Sequence, residues 1–168
     1  MAAVVPGRYT AQIEGSFVVF IIGVRVNKLW AVRDWLPIIK AMPPMLKELY
    51  THPELGFLHA EYFITLRGPM IVQYWRSFEQ LEQYARQGAL HLDAWRMFNQ
   101  KVAASRSVGI YHESYLVPEG RYECVYHHMP VMGLAKAGRH VPATGPRETA
   151  ARRLGGDNEP AVPSPPVE

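Results

Sequence analysis

Apolar residues recur along the chain with two periods, one typical of β-strands and the other typical of helices. Phe17–Val26 is β-branched and aromatic on both faces, which is typical of a strand whose sheet is covered on both sides. Apolar positions three and four apart then predict a helix over residues 34–50, capped by Asp34. We expect that helix to kink or restart at Pro43-Pro44, because proline removes backbone donors and clashes with the preceding turn.

The second half of the pattern predicts a hairpin, a broken helix and a final strand. Residues 57–66 and 70–75 alternate as two paired strands. Ser77 is placed to cap a helix that Gly88 interrupts, and Val108–Val117 forms the last strand. The order strand, helix, strand, strand, helix, strand predicts the ferredoxin-like α+β fold, in which one face of a four-stranded antiparallel sheet carries both helices.

The two faces of the predicted hairpin differ in chemistry. One face is apolar and is expected to form core beneath the helices: Leu58, Ala60, Tyr62, Ile64 and Leu66. The other face adds an imidazole and a carboxylate to aromatic side chains, which suits the wall of a semi-polar cavity: Phe57, His59, Glu61, Phe63 and Thr65. His59 and Glu61 are therefore candidates for substrate binding.

The broken helix concentrates polar and aromatic side chains on one wall. With the residue that ends the preceding strand, the candidates to converge there are Trp75, Tyr84, His91, Trp95 and Asn99. An imidazole with an ordinary pKa near 6.5 accepts a proton close to neutrality. We therefore predict that His112 or His91 acts as the catalytic base. Trp75 and Tyr84 would frame an aromatic or polyene substrate. The remaining candidates for substrate binding are His59, Glu61, Gln73, Trp95, Asn99 and Glu113.

A structural role competes with each of these assignments. A single histidine in a strand is more often hydrogen-bonded than catalytic, and Trp75 and Trp95 can simply fill the core. Glu113 can equally pair with a basic residue. His127-His128 is interpreted as part of a loop rather than as a metal site, because adjacent strand positions point apart.

Composition limits the partners and the compartment. The 168 residues are 48% hydrophobic and 20% charged, which is a globular balance. The formal charge of +3 includes arginines near the C-terminus, and no dense basic run predicts a nucleic-acid surface. Cys124 is the single cysteine, which favours a reducing cytoplasm. Since the longest apolar run is far shorter than the roughly 20 residues of a membrane helix, we expect no membrane partner.

The sequence divides into four segments, and the strand pattern favours a homodimer. We expect an N-terminal arm over residues 1–15, the α+β domain over 16–117, an extension over 118–145 that caps the pocket or reaches the other subunit, and a disordered tail over 146–168. A sheet covered on both faces needs a second layer beyond the helices. The simplest way to supply that layer is a second copy of the chain, because this short domain has only two helical regions.

Three sequence blocks carry a resemblance to a known family. The run W-R-S-F-E-Q-L-E-Q-Y-A from Trp75, followed by His91, resembles the antibiotic-biosynthesis monooxygenase-like group of the dimeric α/β-barrel superfamily. The blocks G-I-Y-H-E-S-Y-x-V and G-x-Y-E-x-x-Y-x-x-M-P-x-x-G-L, over residues 109–117 and 120–134, are similar to a monooxygenase-like branch of it. That branch includes fungal monooxygenases that tailor polyketides and terpenoids in secondary metabolism.

The resemblance implies two sheets that close into a barrel across a dimer, with a pocket between sheet and helices in each monomer. It also implies that a small apolar, aromatic or polyketide-like substrate is oxidised by molecular oxygen with no metal, flavin or nicotinamide. In the better-understood relatives the deprotonated substrate itself reduces oxygen, while a Trp, an Asn and a Tyr or His position the anion. Trp75 matches that Trp, Tyr84 and His91 fall in the matching helix, and Asn99 is a candidate for the Asn.

Two other classes of function stay open. Relatives with the same barrel bind haem through a helix histidine, for which His91 would be the axial ligand. A non-catalytic protein that binds a small ligand, or a purely structural dimeric module, also fits the pattern. The sequence contains no G-x-G-x-x-G, P-loop or H-E-x-x-H motif. Nothing in it therefore supports a protein that binds a dinucleotide or a nucleotide, or a zinc protease.

Overall fold

The computed structural model describes residues 3–101 and 105–163. It divides into two compact units, Val18–Tyr115 and a second unit made of Met1–Phe17 with Leu116–Glu168. The strands are β1 (Val5–Gln12), β2 (Phe17–Val26), β3 (Phe57–Thr65), β4 (Gly68–Trp75), β5 (Val108–Val117), β6 (Tyr126–Met129) and β7 (Arg139–Pro142). The helices are α1 (Val32–Thr51), α2 (Phe78–Gln87), α3 (Ala89–Lys101), α4 (Leu134–Ala137) and α5 (Ala150–Arg153).

The larger unit has the ferredoxin-like α+β fold that the sequence predicts. Its sheet has the strand order β3-β4-β2-β5, and β4 runs antiparallel to both neighbours. This register places Gln73 between Phe20 and Ala60. The main core joins sheet and helix residues: Val18, Leu46, Leu49, Phe57, Ala60, Ile71, Trp75, Leu81 and Tyr84. The fold class is thus confirmed, whereas closure into a dimeric barrel stays a prediction.

The first helix departs from the sequence prediction at two places. It begins at Val32, so Asp34 lies in its first turn and accepts a hydrogen bond from the Ser107 hydroxyl instead of capping the helix. It also continues through Pro43-Pro44 without interruption. The prolines are exposed, and the buried side chains of Met45 and Leu46 follow directly and hold the chain against the core.

The second helical region follows the prediction closely. Ser77 accepts a hydrogen bond from the Gln80 backbone N–H at 3.2 Å, which caps α2. Gly88 separates α2 from α3. A Cβ atom at Gly88 would lie 2.6 Å from the Tyr84 carbonyl oxygen and 3.0 Å from its ring, so this break needs a residue without a side chain.

A bulge in β3 changes which hairpin residues are buried. Phe57 pairs with Trp75 and His59 with Tyr74, so the register shifts between them and Phe57 joins the core. We predicted that the hairpin face with Leu58, Ala60, Tyr62, Ile64 and Leu66 forms core. That prediction is wrong for the residues beyond Ala60. Three side chains of this face are exposed, Tyr62 by 53%, Ile64 by 87% and Leu66 by 99%.

The smaller unit contains elements that the sequence analysis missed. The expected N-terminal arm contains β1, which pairs with β6 on one side and β7 on the other. The strands β6 and β7 belong to the segment expected to form a cap, and that role stays a prediction. Pairing between residues more than 100 positions apart leaves no local signal in the sequence.

The tail predicted to be disordered has ordered structure in its described part. Residues 146–163 include α5, which Thr149 caps through the Arg152 N–H at 3.1 Å. Arg152 pairs with Glu159 at 2.8 Å, and Arg153 pairs with Glu123. These ion pairs explain why a polar, Pro-rich segment is held in place; residues 1–2 and 164–168 lie outside the described residues. Across the described ranges, no helix is long and apolar enough to span a bilayer.

Candidate functional site

A cavity of about 560 Å³ lies within the larger unit, between the sheet and helices α1, α2 and α3. Its size is typical of a site for a small organic molecule. The wall is mostly apolar, with Phe20, Ile22, Ile38, Met42, Met45, Leu49, Ile71, Leu81, Met97 and Ile110 among its residues. Met42 and Met45, which flank the proline pair, give this wall flexible side chains that adapt easily to an irregular ligand.

The sheet contributes a fixed pair of polar side chains to the cavity. Gln73 and Trp75 both line it, and they are only 4% and 1% exposed. Trp75 donates its indole N–H to Gln73 Oε1 at 2.8 Å. Because an indole nitrogen can only donate, it fixes the orientation of the amide. Gln73 Nε2 is left as a hydrogen-bond donor in the wall of the cavity.

Tyr84 contributes a ring rather than a reactive hydroxyl. Its ring lies 5.9 Å from that of Trp75 and 6.2 Å from that of His91. Its hydroxyl donates to Glu48 Oε2 at 2.7 Å. Burial, followed by this hydrogen bond and the charge of Glu48, raises the pKa of Tyr84 far above its usual value. The hydroxyl therefore stays protonated and remains hydrogen-bonded to Glu48.

His91 contributes a buried and unpaired ring nitrogen. It lies in the first turn of α3 and lines the cavity. Its Nδ1 is shielded from solvent and has no hydrogen-bond partner among the described residues. Burial lowers the pKa of His91, although the Ala85 backbone carbonyl partly opposes that shift. The neutral imidazole is therefore favoured, which is the form that accepts a proton or binds a metal.

His112 occupies a more open part of the same wall. It lies on β5 next to Phe20, with ring centroids 5.6 Å apart, and it lines the cavity together with Ser114. The imidazole is exposed, unlike that of His91. Both histidines therefore line the cavity, and within the described part of the chain His91 differs in having a ring nitrogen that is shielded from solvent and unpaired.

Six of the ten sequence-predicted site residues line this cavity: Gln73, Trp75, Tyr84, His91, Trp95 and His112. Trp95 does so while 49% exposed and stacked on Phe98 at 5.6 Å. Sequence reasoning missed the ion pair between Arg86 and Glu82 at the cavity wall, with 3.4 Å between its charged atoms. Their spacing of four residues on a helix was the available signal.

The other four predicted residues lie outside the cavity lining. His59 bonds to Glu61 at 3.0 Å and to the Tyr50 hydroxyl at 3.2 Å. Register places both on the sheet face opposite Gln73. Asn99 is exposed on α3, and Glu113 accepts a hydrogen bond from Tyr115 on the outer face of β5. The structure thus separates this group from the candidate site.

Comparison with known proteins identifies the family. Residues 17–134, well over half of the chain, match the family model described as Monooxygenase af470-like. The chain belongs to this family.

A curated member, monooxygenase af470 of Aspergillus fumigatus, is 29% identical over 151 residues, which is 75% of this chain and 52% of the relative. The chain therefore spans about half the length of that af470 protein.

A solved structure agrees with the fold of this af470-like chain. A crystal structure of an aldoxime dehydratase, OxdRE, with butyraldoxime superposes with a TM-score of 0.57 at 16% identity, over 69% of this chain and 35% of that one. At that identity the likeness concerns the fold alone. SnoaB, a cofactor-independent oxygenase from Streptomyces nogalater, gives a TM-score of 0.42 at 11% identity over 60% and 91% of the two chains. That likeness is too loose to support an argument.

The described part of this af470-like chain offers no cluster of three or more His, Cys, Asp or Glu side chains that could hold a metal ion. His127 and His128 lie on β6 rather than in a loop, and their rings stack at 4.4 Å. They can stack because His128 has a positive φ of 51°, which turns the strand. His128 Nδ1 accepts a hydrogen bond from the Gly7 N–H at 3.3 Å.

Proposed function

We propose that this chain is a cofactor-independent monooxygenase that oxidises a small apolar, aromatic or polyketide-like compound with molecular oxygen. The single observation that carries the proposal is that His91, whose Nδ1 is buried and has no hydrogen-bond partner among the described residues, lines an apolar cavity. Membership of a monooxygenase family supports it. A buried neutral imidazole is suited to remove a proton from a weakly acidic substrate.

In the proposed reaction, His91 accepts a proton from a substrate that can form an electron-rich anion. Gln73 Nε2, held by Trp75, donates a hydrogen bond to the anionic oxygen. The anion passes electrons to oxygen, and a C–O bond forms at the reacting carbon. His91 returns its proton to the peroxide oxygen and then removes the second C–H proton as the O–O bond breaks. The departing hydroxide takes up that second proton and leaves as water. For a methylene carbon the balance is CH₂ + O₂ → C=O + H₂O, so the substrate supplies every electron.

The cavity walls support an aromatic or otherwise flat, apolar substrate. Trp75, Tyr84 and Trp95 present rings to the cavity, and the rest of the lining is largely aliphatic. Aromatic faces and edges favour stacked or edge-on contacts with such a molecule. His112 and Ser114 supply polar groups at the exposed part of the wall, where a substrate's second polar substituent could lie.

Oxygen consumption tests this proposal directly. With anthrone, whose enol is a hydroxyaromatic and whose methylene carbon is reactive, we expect one O₂ consumed per anthraquinone formed, in protein treated with a chelator. His91→Gln should lower the rate about 100-fold or more, since a general base contributes on the order of 10²–10⁴-fold. Asn99→Ala, outside the cavity, is the matched control. Rates equal to buffer alone, or equal in His91→Gln, would contradict the proposal for this substrate class.

Haem binding through His91 is a second candidate, favoured by the same unpaired nitrogen. His91 would hold the haem iron, because its neutral imidazole is available as a ligand. The rest of the lining fits poorly. Arg86 is the only Lys or Arg among the cavity's described residues, and it is already paired with Glu82. Two propionates would thus meet one cation and one carboxylate. A stoichiometric Soret band on haem addition, lost in His91→Ala, would favour haem binding over the oxygenase.

We also propose that the functional form is a homodimer that uses the sheet face opposite the cavity. Phe63, Tyr111 and Tyr115 on that face are 40%, 43% and 51% exposed. Tyr111 packs over Gly23, where a Cβ would lie 2.4 Å from its ring. Exposed apolar area on a sheet face is typical of an interface. Light scattering of the wild type and of Tyr111→Glu tests this: the variant should become monomeric. A cytoplasmic location stays a prediction.

A further inference from the structure

Three connections meet at one end of the larger unit and form an exposed surface that the proposed reaction does not use. They are residues 27–31 after β2, residues 66–67 between β3 and β4, and residues 105–107 before β5. Backbone hydrogen bonds join them: Val26 N–H donates to the Arg67 carbonyl at 2.6 Å, and Asn27 N–H to the Ser107 carbonyl at 2.8 Å. We call the exposed side chains of residues 27–33, 64–67 and 105–107 the loop tip.

The loop tip exposes large apolar side chains to an unusual degree. Leu66 is 99% exposed, Ile64 87% and Trp30 80%. Leu29 and Val32 add 54% and 43%. Isolated exposed apolar residues need no explanation. Here five of them lie on two segments, 27–33 and 64–67, which the backbone hydrogen bond from Val26 to Arg67 brings together, and such a patch is typical of a binding surface.

The loop tip also carries a concentration of positive charge. Its three segments contain Lys28, Arg33, Arg67 and Arg106 and no acidic residue, and the neighbouring carboxylate of Asp34 accepts a hydrogen bond from Ser107. None of these four cations pairs with a carboxylate in residues 3–101 or 105–163. Arg33 lies in the first turn of α1, where the helix dipole favours a negative charge. The dipole therefore does not account for Arg33, whereas it does suit Asp34 in the same turn.

We propose that the loop tip docks this protein on the surface of an anionic lipid bilayer. Trp30, Leu66 and Ile64 enter the boundary between headgroups and acyl chains, and the four cations contact anionic headgroups. Tryptophan is favoured at that depth because its ring is apolar and its N–H is polar. No membrane-spanning helix is needed, so the expectation of no membrane partner is revised to a peripheral contact.

Charge favours a bilayer over a second copy of the chain. A two-fold contact between two loop tips would bring four cations of each subunit against four of the other, which opposes association. An anionic bilayer attracts all four at once. The position also suits the cavity, because Val24 and Pro69 line it and lie two residues from Val26 and Arg67. An apolar substrate dissolved in the bilayer would therefore be close to the cavity.

Flotation with lipid vesicles tests the proposal without any substrate, so it is independent of the oxygenase activity. We expect the full chain to bind phosphatidylcholine vesicles containing roughly 30% phosphatidylserine, and to bind pure phosphatidylcholine at least ten-fold more weakly. Lys28→Glu with Arg67→Glu should weaken binding by well over ten-fold, since each neutralised cation alone is worth on the order of five-fold. Arg121→Glu, an exposed cation of the smaller unit, is the matched control.

A second pair of variants tests insertion of the apolar side chains. Trp30→Ser with Leu66→Ser should lower binding to the anionic vesicles at least ten-fold, whereas Leu154→Ser, which is 45% exposed in the smaller unit, should not. All these positions are exposed, so an unchanged thermal unfolding curve is expected and identifies folded variants. Three results would overturn the proposal: no binding to anionic vesicles, equal binding by the loop-tip variants, or conversion of a dimer to a monomer by Trp30→Ser with Leu66→Ser.

Discussion

The indole N–H of Trp75 donates to the side-chain oxygen of Gln73 at 2.8 Å, and both residues line the cavity while almost fully buried. This contact makes the amide nitrogen the donor that a ligand meets. We therefore expect Gln73→Leu to lower kcat/KM for the oxygenase reaction by roughly 10²-fold, as loss of a preorganised donor to an oxyanion does elsewhere. The measurement is steady-state oxygen uptake.

Trp75→Phe should show how much the reaction depends on the indole N–H that orients the Gln73 amide. The variant keeps Gln73 but leaves its Oε1 buried and unpaired, which costs about 1–3 kcal/mol of unfolding free energy. We expect urea unfolding to register that loss, and the rate to fall less than in Gln73→Leu, because the amide nitrogen remains present. A rate as low as that of Gln73→Leu with unchanged stability would show that the indole itself contacts the substrate.

His91 gives the reaction and the stability a pH dependence of the same sign. Burial lowers its pKa in the folded chain below the usual 6.5. The base form therefore persists below pH 6.5, and kcat/KM should fall only as pH drops through the folded pKa. The unfolded chain binds its proton first, so unfolding free energy should also fall as pH drops from about 6.5 to the folded pKa.

Equilibrium unfolding of wild type and His91→Gln between pH 7.5 and pH 5 checks this dependence. His140, whose pKa is also lowered by burial, contributes to stability with the same sign but lies in the smaller unit. His140→Gln should therefore keep the pH profile of the rate, whereas His91→Gln should abolish it. A pH profile of the rate that His91→Gln leaves unchanged would instead show that another group is the base.

Tyr84→Phe should affect stability more than rate. It removes the hydroxyl that donates to Glu48, and a hydrogen bond to a charged acceptor contributes about 1.5–3 kcal/mol. The ring remains against Trp75, so kcat should stay within about three-fold of wild type. Glu48→Gln, which keeps an acceptor, is the matched control for the hydrogen bond. A large loss of rate with normal stability would return Tyr84 to a direct role in proton transfer.

Gly88→Ala should disturb the site from a distance. The added Cβ would lie 2.6 Å from the Tyr84 carbonyl oxygen, so the junction between α2 and α3 must shift. Overpacking of this kind costs about 1–3 kcal/mol, and here it would also move His91. Gly109→Ala is the control, because its Cβ would meet only Asn27 Nδ2 at 3.8 Å. Equal thermal stability of the two variants would contradict the prediction.

Periodicity predicted the elements of the larger unit, since each of its strands and helices has a local apolar pattern. It could not predict the bulge near Leu58, because one extra residue leaves no mark on the amino-acid types. That bulge places the side chain of Phe57 on the core face of the sheet. The strand β1 escaped prediction for a different reason: its partners β6 and β7 are four residues long and distant in sequence.

The candidate site was predictable where one face of an element was already identified. Gln73 and Trp75 share a strand face, and Tyr84 and His91 occupy neighbouring turns on either side of Gly88. His59 and Glu61 lie on the opposite face of the sheet. The sequence could not indicate this, because a strand offers two faces and only the structure tells which one the helices cover. Asn99 follows Trp95 by one helical turn, but the cavity lining on α3 reaches only to Met97. Spacing does not fix the length of a cavity.

The proline pair in α1 has a consequence for the shape of the cavity. Pro43 and Pro44 cannot donate to the carbonyls of Ile39 and Lys40, so two successive rungs of the helical hydrogen-bond ladder are missing. The gap lies beside Met42 and Met45, which line the cavity. We expect amide hydrogen exchange in α1 to be fastest around this gap. The helical wall is therefore compliant, and one cavity could accept ligands of several sizes without disturbing the sheet that carries Gln73 and Trp75.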